Sequence, residues 1–380
     1  MANRYWIGGS GNWNDTAHWA ATSGGTGGES VPGDTDDVFV DANSLTALSR
    51  TITLNVTPDI KSLDCSAVNV NAIISGNTSM TVAGSFTLNT GMTFNLNAGS
   101  LIFDSTSTTC NVTTDGVTIQ ARNMNVGGDG TVNLMDDLTI SDSLGTGRLQ
   151  VISGNNGLTF NTNNVTIVAA MFQENNASNT TTTINLGSST ITTNVTGSSQ
   201  VAVRMTNSNT TLNAGTSNIN VTGNTVLFVG GGKTYYNVNL TGTPTTIQGS
   251  NTFANLTISP GKRVNFTQNT TTTGTIVTAI GTVSQNILFR STAGTATLCV
   301  TNLNIAYVDV SGIIATCGAS PFFNPNGIDS GGNTNWIFSE SSTPGLQGVK
   351  RAKPRFAAFD PPPTASIDTT SRPRRYVYGQ

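Results

Sequence analysis

Paired carboxylates are the residues of this sequence whose type and spacing could do chemistry. Asp115 and Asp136 are 21 positions apart, and Asp104 and Asp129 are 25 apart. In a coiled chain either pair would lie on adjacent coils, and two carboxylates about 5–9.5 Å apart are the pair that hydrolyses glycosidic bonds. Asp115 and Asp129 each precede a glycine, however, and aspartate in such turns needs no catalytic role. Positions 175–308 contain no acidic residue, so the sequence favours a protein that is not an enzyme.

Other catalytic and metal-binding arrangements have weaker signals. The only histidine, His18, lies among aromatic residues, and no serine has the Gly-x-Ser-x-Gly elbow of a nucleophile. We therefore expect His18 to pack or to face solvent. The acidic run Asp34, Asp36, Asp37 and Asp41 could offer oxygen ligands to Ca²⁺, but it lacks the glycine and the final glutamate of an EF-hand loop. Turn and strand-end roles are predicted for these carboxylates, and no metal or cofactor is expected.

The four cysteines form no Cys-x-x-Cys pair, which argues against a zinc ribbon or a redox motif. Cys65, Cys110, Cys299 and Cys317 are predicted to be small buried apolar residues. The 18-residue spacing of Cys299 and Cys317 would also make them neighbours if the chain coils once between them.

The composition identifies the elements that must position these side chains. Thr (64), Asn (44), Gly (41) and Ser (35) supply 184 of the 380 residues, and charged residues supply only 10%. So few charges exclude a charged disordered tail and a basic nucleic-acid binder. Thr favours strands, whereas Asn, Gly and Ser favour turns, so we expect an all-β protein.

Short stretches of alternating apolar and polar residues indicate strands with one buried face, as at Met92–Leu96. Tyr235–Leu240 resembles Phe253–Ile258 eighteen residues later, as in a repeat array. The strands are shorter than those of most sandwiches, so we predict a β-solenoid, a right-handed parallel β-helix. About 20–25 residues per coil give about a dozen coils and roughly 55–60 Å of rod. Stacked Asn and Thr side chains would form hydrogen-bonded ladders along it.

Three segments are predicted: a Trp-rich cap over residues 1–50, a solenoid body over 51–340, and a Pro-rich, basic, extended arm over 341–380. The ends of an open solenoid expose strand edges that need covering. Trp6, Trp13 and Trp19 at one end and Trp336 at the other are therefore predicted to be end caps. Sugar stacking by one of these rings is the alternative.

The predicted arm concentrates positive charge. Residues 350–380 carry a net charge of +5, which leaves −8 on residues 1–349. Pro-rich segments lose little entropy on docking, and arginine and aromatic side chains anchor interfaces. We predict that the arm docks along a neighbouring subunit. Its anchor residues are Lys350, Arg351, Lys353, Arg355, Phe356, Phe359, Arg372, Arg374, Arg375 and Tyr376.

The two ends of the chain resemble a known group of proteins. The opening Arg4–Asn14, followed by His18-Trp19, and the closing Asn335–Phe338 resemble tailed-bacteriophage virion proteins with β-helical repeats. The resemblance covers roughly residues 1–340. It implies a tail-fibre-like structural protein and brings no catalytic motif, and the arm from Lys350 onward is not part of it.

These observations predict a structural component of a tailed-phage virion, a tail-fibre or tailspike-like appendage on the particle exterior. We expect synthesis in the host cytoplasm, a homotrimer, attachment to other virion structural proteins, and a polar flank or tip able to contact host surface glycans. Three alternatives stay open: a capsid decoration or head-fibre protein held by the arm, a glycan-degrading tailspike, and a bacterial adhesin. The N-terminus shows no apolar secretion signal, which counts against the adhesin, and no membrane insertion is expected.

Overall fold

The computed structural model describes residues 1–339 except 46–49, 70, 107, 154–156, 176–179, 198–199 and 319. The chain divides into two units, Met1–Ser341 and Ser342–Gln380. The predicted arm, with all of its anchor residues, lies outside the described residues, so its docking role stays a prediction.

Short strands and tight turns make up the described residues, with one 3₁₀ turn at Thr16–His18. The strands of the first coils are β1 Asn3–Trp6, β2 Gly11–Asn12, β3 Trp19–Ala20, β4 Asp37–Phe39, β5 Thr51–Leu54, β6 Asp59–Ile60, β7 Ser62–Asp64, β8 Ile73–Gly76, β9 Met80–Val82, β10 Phe86–Thr87, β11 Thr93–Ser105, β12 Thr109–Thr113 and β13 Ile119–Gly128. The middle coils contain β14 Thr131–Leu134, β15 Leu138–Ser141, β16 Arg148–Ser153, β17 Leu158–Asn161, β18 Thr166–Ala169, β19 Met171–Glu174, β20 Thr182–Asn185, β21 Thr190–Thr193, β22 Gln200–Arg204, β23 Thr210–Asn213, β24 Asn218–Val221 and β25 Val226–Val229. The last coils contain β26 Thr234–Leu240, β27 Thr245–Gln248, β28 Thr252–Ile258, β29 Arg263–Phe266, β30 Thr271–Ile280, β31 Ile287–Ser291, β32 Ala296–Ala306, β33 Val308–Ser311, β34 Ile313–Thr316, β35 Phe322–Pro325, β36 Ile328–Asp329 and β37 Trp336–Ser339.

Apart from β3, which pairs antiparallel with β1, the strands pair in parallel with the equivalent strands of neighbouring coils, and about 12 turns stack in this way. Tyr235 of β26 lies opposite Phe253 of β28, and Leu240 lies opposite Ile258, with the 18-residue offset seen in the sequence. The prediction of an all-β solenoid is confirmed. One face is a ten-stranded sheet in the order β23-β20-β17-β14-β12-β10-β7-β4-β1-β3.

A single core runs the length of the coil. One contiguous cluster of buried apolar side chains extends from Trp6 to Phe322. Inward and outward positions alternate as the sequence predicts: in β14, Val132 and Leu134 are buried, whereas Thr131 and Asn133, which alternate with them, are partly exposed. Because a narrow coil leaves little interior volume, valine, isoleucine and leucine fill it, with a few phenylalanines packed edge to face.

Asparagine ladders join the coils along the ten-stranded sheet. Asn133 donates its side-chain amide to Asn111 at 2.9 Å, and the pattern continues upward with distances of 2.7–2.8 Å. The members of the ladder are Asn111, Asn133, Asn161, Asn185 and Asn213. A second, shorter ladder joins Asn218, Asn237 and Asn255. The predicted ladders are present, and each rung satisfies a polar group that would otherwise compete with coil stacking.

The asparagine ladder predicts that removing an inner asparagine lowers the free energy of unfolding more than removing the last one. Asn161→Ala removes two hydrogen bonds and leaves both Asn133 and Asn185 short of a partner, so we expect a loss of about 1–3 kcal/mol in the free energy of unfolding. Asn213→Ala at the exposed end strands only Asn185 and costs less. Urea unfolding followed by circular dichroism compares the two variants. An end-rung variant as costly as the inner one would contradict the ladder.

The cysteines behave in two ways. Cys65 and Cys110 are free and buried, as predicted, and burial raises the pKa of the Cys110 thiol to about 12. The prediction of burial is wrong for Cys299 and Cys317, of which the first is partly exposed and the second exposed. Their adjacency after one coil is confirmed, since they form a disulfide with their Cα atoms 5.0 Å apart. Cys317 is exposed in the turn after β34, where the coil brings it beside Cys299 of β32. The spacing of one coil between the two cysteines, rather than their burial, therefore determined that they pair.

Candidate functional site

The N-terminal end is closed by three interlocking tryptophans. Trp6, Trp13 and Trp19 are fully buried. The Trp19 ring meets Trp6 edge to face at 5.1 Å and Trp13 at 4.8 Å between ring centroids. The Trp6 Nε1–H donates to the carbonyl oxygen of Gly9 at 2.7 Å, and the Trp19 Nε1–H donates to that of Trp13 at 2.8 Å. Rings buried in this way pack against each other and offer no open face for a sugar.

His18 completes this cluster. Its ring stacks on Trp6 with the centroids 4.7 Å apart and the planes within 2°. Its Nδ1 lies 2.7 Å from the carbonyl oxygen of Ile7. A side chain at Gly11 would overlap the ring, since an added Cβ would come within 2.0 Å of His18 Nε2. The expected packing role of His18 agrees with this geometry.

The same segment covers the first edge of the ten-stranded sheet. Strand β1 pairs in parallel with β4 on one side and antiparallel with the two-residue β3 on the other. Trp6 and Trp19 lie opposite each other in that antiparallel pair. A short antiparallel strand blunts a sheet edge against further pairing. The tryptophan cap is thus continuous with the solenoid body.

The last coils present a more open surface. Trp336 is half-buried, with its Nε1–H donating to the carbonyl oxygen of Ile313 at 3.0 Å and its ring edge to face with Phe322 at 5.2 Å. Phe323 of β35 and Ile337 of β37 lie opposite each other and are 57% and 48% exposed. Among the described residues this end therefore keeps large apolar side chains in contact with solvent.

The candidate catalytic carboxylates bind turn amides. Asp136 accepts hydrogen bonds from the main-chain N–H of Thr114, at 2.9 and 3.0 Å, and from that of Asp115. Asp115 in turn accepts one from the N–H of Thr90 at 2.8 Å. The two aspartates lie on adjacent coils, as their spacing predicts, but each carboxylate caps the turn of the coil before it. Asp104 and Asp129 also belong to adjacent coils, because Asp104 lies opposite Gly127.

A substitution tests this capping role. Asp136→Asn keeps the size of the side chain but removes the charge that two main-chain N–H groups share, so we expect a loss of about 1.5–3 kcal/mol in the free energy of unfolding. Asp104→Asn, at an exposed carboxylate, is the control and costs less. Urea titration supplies the comparison. A variant that unfolds like the unmodified protein, yet loses an ability to release sugars from a bacterial polysaccharide, would instead point to catalysis.

The acidic run near the N-terminus also holds turns and strand ends. Asp36 accepts from the N–H of Ala2 at 2.9 Å and of Gly33 at 3.2 Å. Asp37 forms an ion pair with Lys61 at 2.8 Å and accepts from the Ser62 hydroxyl. Burial acts to raise the pKa of Asp37, but these hydrogen bonds and the lysine charge outweigh it, so the pKa lies below the usual value. Within the described ranges, no group of three or more His, Cys, Asp or Glu could hold a metal ion.

Sequence reasoning missed a groove beside this run. It has a volume of about 500 Å³ and crosses several coils, with Met1, Asp34, Lys61, Gly84, Thr106 and Thr108 among its lining residues. Asp59 and Asp104 are exposed and do not line the groove, but Asp59 lies within electrostatic range of Asp34, which does. Burial, followed by repulsion from Asp34 and Asp104, raises the pKa of Asp59. The spacings of 25 and 45 residues between these aspartates, about one and two coils, were the signal that could have revealed it.

No family model, curated protein or solved structure matches this chain. In the part of the chain that the structure describes, no helix has the length and apolar character needed to span a membrane.

Proposed function

We propose that this protein is a non-enzymatic structural rod of a tailed-phage particle, a tail-fibre or tailspike-like appendage on the virion exterior. The observation that carries the proposal is one uninterrupted core through about 12 coils, sealed by the tryptophan cap at its first coil. Such a core, joined from coil to coil by amide ladders, resists bending and supplies reach. Those are mechanical properties.

The hydrogen bonds of the described carboxylates support a mechanical role rather than a catalytic one. In the pair with hydrolase-like spacing, both oxygens of Asp136 and one oxygen of Asp115 accept hydrogen bonds from main-chain N–H groups of preceding turns. A general acid or a nucleophile needs a carboxyl oxygen directed at the substrate. We therefore prefer the structural role to that of a glycan-degrading tailspike. Because the outer faces of the strands are polar, binding of host glycans is a further role that the rod would be able to perform.

Subunit contacts are part of the proposal. Large exposed apolar side chains gather in the last coils, among them Val283, which is 82% exposed, Phe323 and Ile337. A trimer would cover such side chains. The basic residues from Lys350 onward would attach the rod to other virion structural proteins, its synthesis having taken place in the host cytoplasm.

The charge distribution favours a second candidate position. A segment with a net charge of +5 behind a body of −8 suits attachment to an acidic shell. The protein would then be a capsid decoration or a head fibre, with the same rod projecting outward.

Immunogold electron microscopy of purified particles tests both positions. Antibody against the full chain should label the distal tail if the protein is an appendage, and the head surface if it is a decoration. Peptide mass spectrometry of the same particles is the parallel measurement. Absence of the chain from particles, with the chain present in the infected-cell lysate, would overturn the virion proposal.

A further inference from the structure

The ten-stranded face of the solenoid ends part-way along the chain, at β23. In the described part of the chain β23 pairs with β20 and with no strand of the next coil. That coil is shorter, since the offset between equivalent residues falls from 28 between Thr190 and Asn218 to 19 between Asn218 and Asn237. Only residues 230–233 connect β25 to β26, so no strand is left to continue this face. The edge of β23 therefore forms a ledge on the side of the rod.

A groove with a volume of about 370 Å³ lies on this ledge. Volumes of roughly 300–1,000 Å³ are typical of small-molecule sites. The groove is lined by the end of β23, the turn after it, the start of β26 and one residue of β28, among them Leu212, Asn213, Gly215, Thr234, Tyr236 and Ala254. All of its described lining residues are uncharged, so it attracts neither an anion nor a cation.

Tyr236 supplies an aromatic ring to the groove. Burial alternates along β26, so Tyr235 is buried in the core whereas Tyr236 is exposed. The equivalent position in the next coil, 18 residues later, is Ala254. Because the alanine side chain ends at Cβ, it leaves the Tyr236 ring in contact with solvent. The C–H face of a sugar ring stacks on an aromatic ring of this kind.

Asn213 places hydrogen-bonding groups in the same groove. It is the last member of the asparagine ladder and is exposed, and its Nδ2 donates to Asn185 at 2.7 Å. The ladder stops here because the next coil has no equivalent strand, so no described residue donates to the Asn213 Oδ1. A side-chain amide both donates and accepts hydrogen bonds, and sugar hydroxyl groups pair with either function.

An added peptide strand suits this ledge less well than a sugar does. Strand β23 is only four residues long, and the Nζ of Lys233 already donates to the carbonyl oxygen of Thr210 at 2.6 Å. Peptides that extend a sheet depend on a row of main-chain hydrogen bonds along its edge. With this carbonyl occupied, too few main-chain partners remain for a strand, whereas a short saccharide needs only the ring and a few polar groups.

We propose that this groove binds a neutral saccharide, with a sugar ring stacked on Tyr236 and its hydroxyl groups paired with Asn213. The uncharged lining favours a hexose or an N-acetylhexosamine over a sugar acid or a phosphorylated sugar. The inference rests on the glycan-binding role proposed above for the rod, and it assigns that role a site and a ligand class.

Isothermal titration calorimetry of the full chain tests the proposal, with ligands taken from a screen of neutral hexose and N-acetylhexosamine oligosaccharides. Tyr236→Ala should weaken binding about tenfold, because the stacked ring is lost. Tyr236→Phe keeps the ring and should bind within about threefold of the unmodified chain. Ala254→Leu places a larger side chain beside the ring and should weaken binding at least about tenfold. Circular dichroism checks that each variant is folded.

Phe323→Ala is the matched control. It removes an exposed aromatic ring from the last coils rather than from the ledge, and should change the affinity by less than about twofold. A chain that binds no member of the screen, a preference for sialylated or sulfated oligosaccharides, or an unchanged affinity of Tyr236→Ala would overturn the site.

Immunogold labelling separates this result from the virion proposal. A chain that is found in particles but binds no saccharide keeps the structural role and loses the site. A chain that binds saccharides through Tyr236 but is absent from particles keeps the site and loses the virion role.

Discussion

Trp19→Ala should lower the free energy of unfolding by about 3–5 kcal/mol. The side chain is fully buried, meets Trp6 and Trp13 edge to face, and holds the carbonyl oxygen of Trp13 through its Nε1–H. Loss of the Trp19 ring leaves a cavity at the N-terminal end of the core, where this ring separates the core from solvent. It also weakens β3, the strand that covers the first edge of the sheet. Urea unfolding followed by far-ultraviolet circular dichroism measures the change without relying on tryptophan emission.

Trp336→Ala is the matched control for this prediction. Trp336 is only half-buried, so fewer contacts are lost and the cost should be smaller. The Trp19 variant should in addition aggregate faster on standing, since an uncovered sheet edge recruits other strands. Equal costs for the two variants would mean that the N-terminal cluster does not seal the core.

Breaking the Cys299–Cys317 disulfide should cost about 3 kcal/mol, the value for a closed loop of this size. The bond ties β32 to the turn after β34, where the stack of coils has fewer neighbours on one side. We expect Cys317→Ser, or reduction of the native protein, to speed amide hydrogen exchange in the last two coils. The coils around the tryptophan cap should keep their protection.

Thiol labelling separates this bond from the two free cysteines. Cys65 and Cys110 are buried, and burial raises the pKa of both thiols, so the native oxidised protein should not react with a thiol reagent. After reduction the exposed Cys317 should react first. Labelling of Cys65 or Cys110 in the folded protein would show that the coil opens there, contrary to the structure.

Much of the fold could be predicted from local sequence patterns. The alternation of apolar residues with threonine and asparagine depends only on neighbours along the chain, and it predicted the strands, their buried faces and the asparagine ladders. The 18-residue offset between Tyr235 and Phe253 was readable because the same offset holds for every residue pair from Thr234–Thr252 to Leu240–Ile258. The position of Asp115 in a turn was predictable for the same reason, since an aspartate before a glycine favours a turn. The hydrogen bond of its carboxylate with Thr90 of the preceding coil was not predictable in this way.

The sequence by itself determined that this chain is a stack of short strands with aromatic residues at its ends. Only the tertiary structure decided which side chains meet across coils. Coil lengths vary, as from 17 residues between Ala296 and Ile313 to 31 between Phe172 and Val203, so the alignment of distant residues depends on the sum of many turns. That sum brought Asp34, Asp59 and Asp104 close enough for charge repulsion at Asp59. The spacing of Cys299 and Cys317, and of Asp115 and Asp136, allowed each pair to lie on adjacent coils, but only the tertiary structure joined the cysteines in a disulfide and set Asp136 against the turn of Asp115. A local sequence pattern does not give the combined length of many turns, because the length of each turn is set by its own few residues.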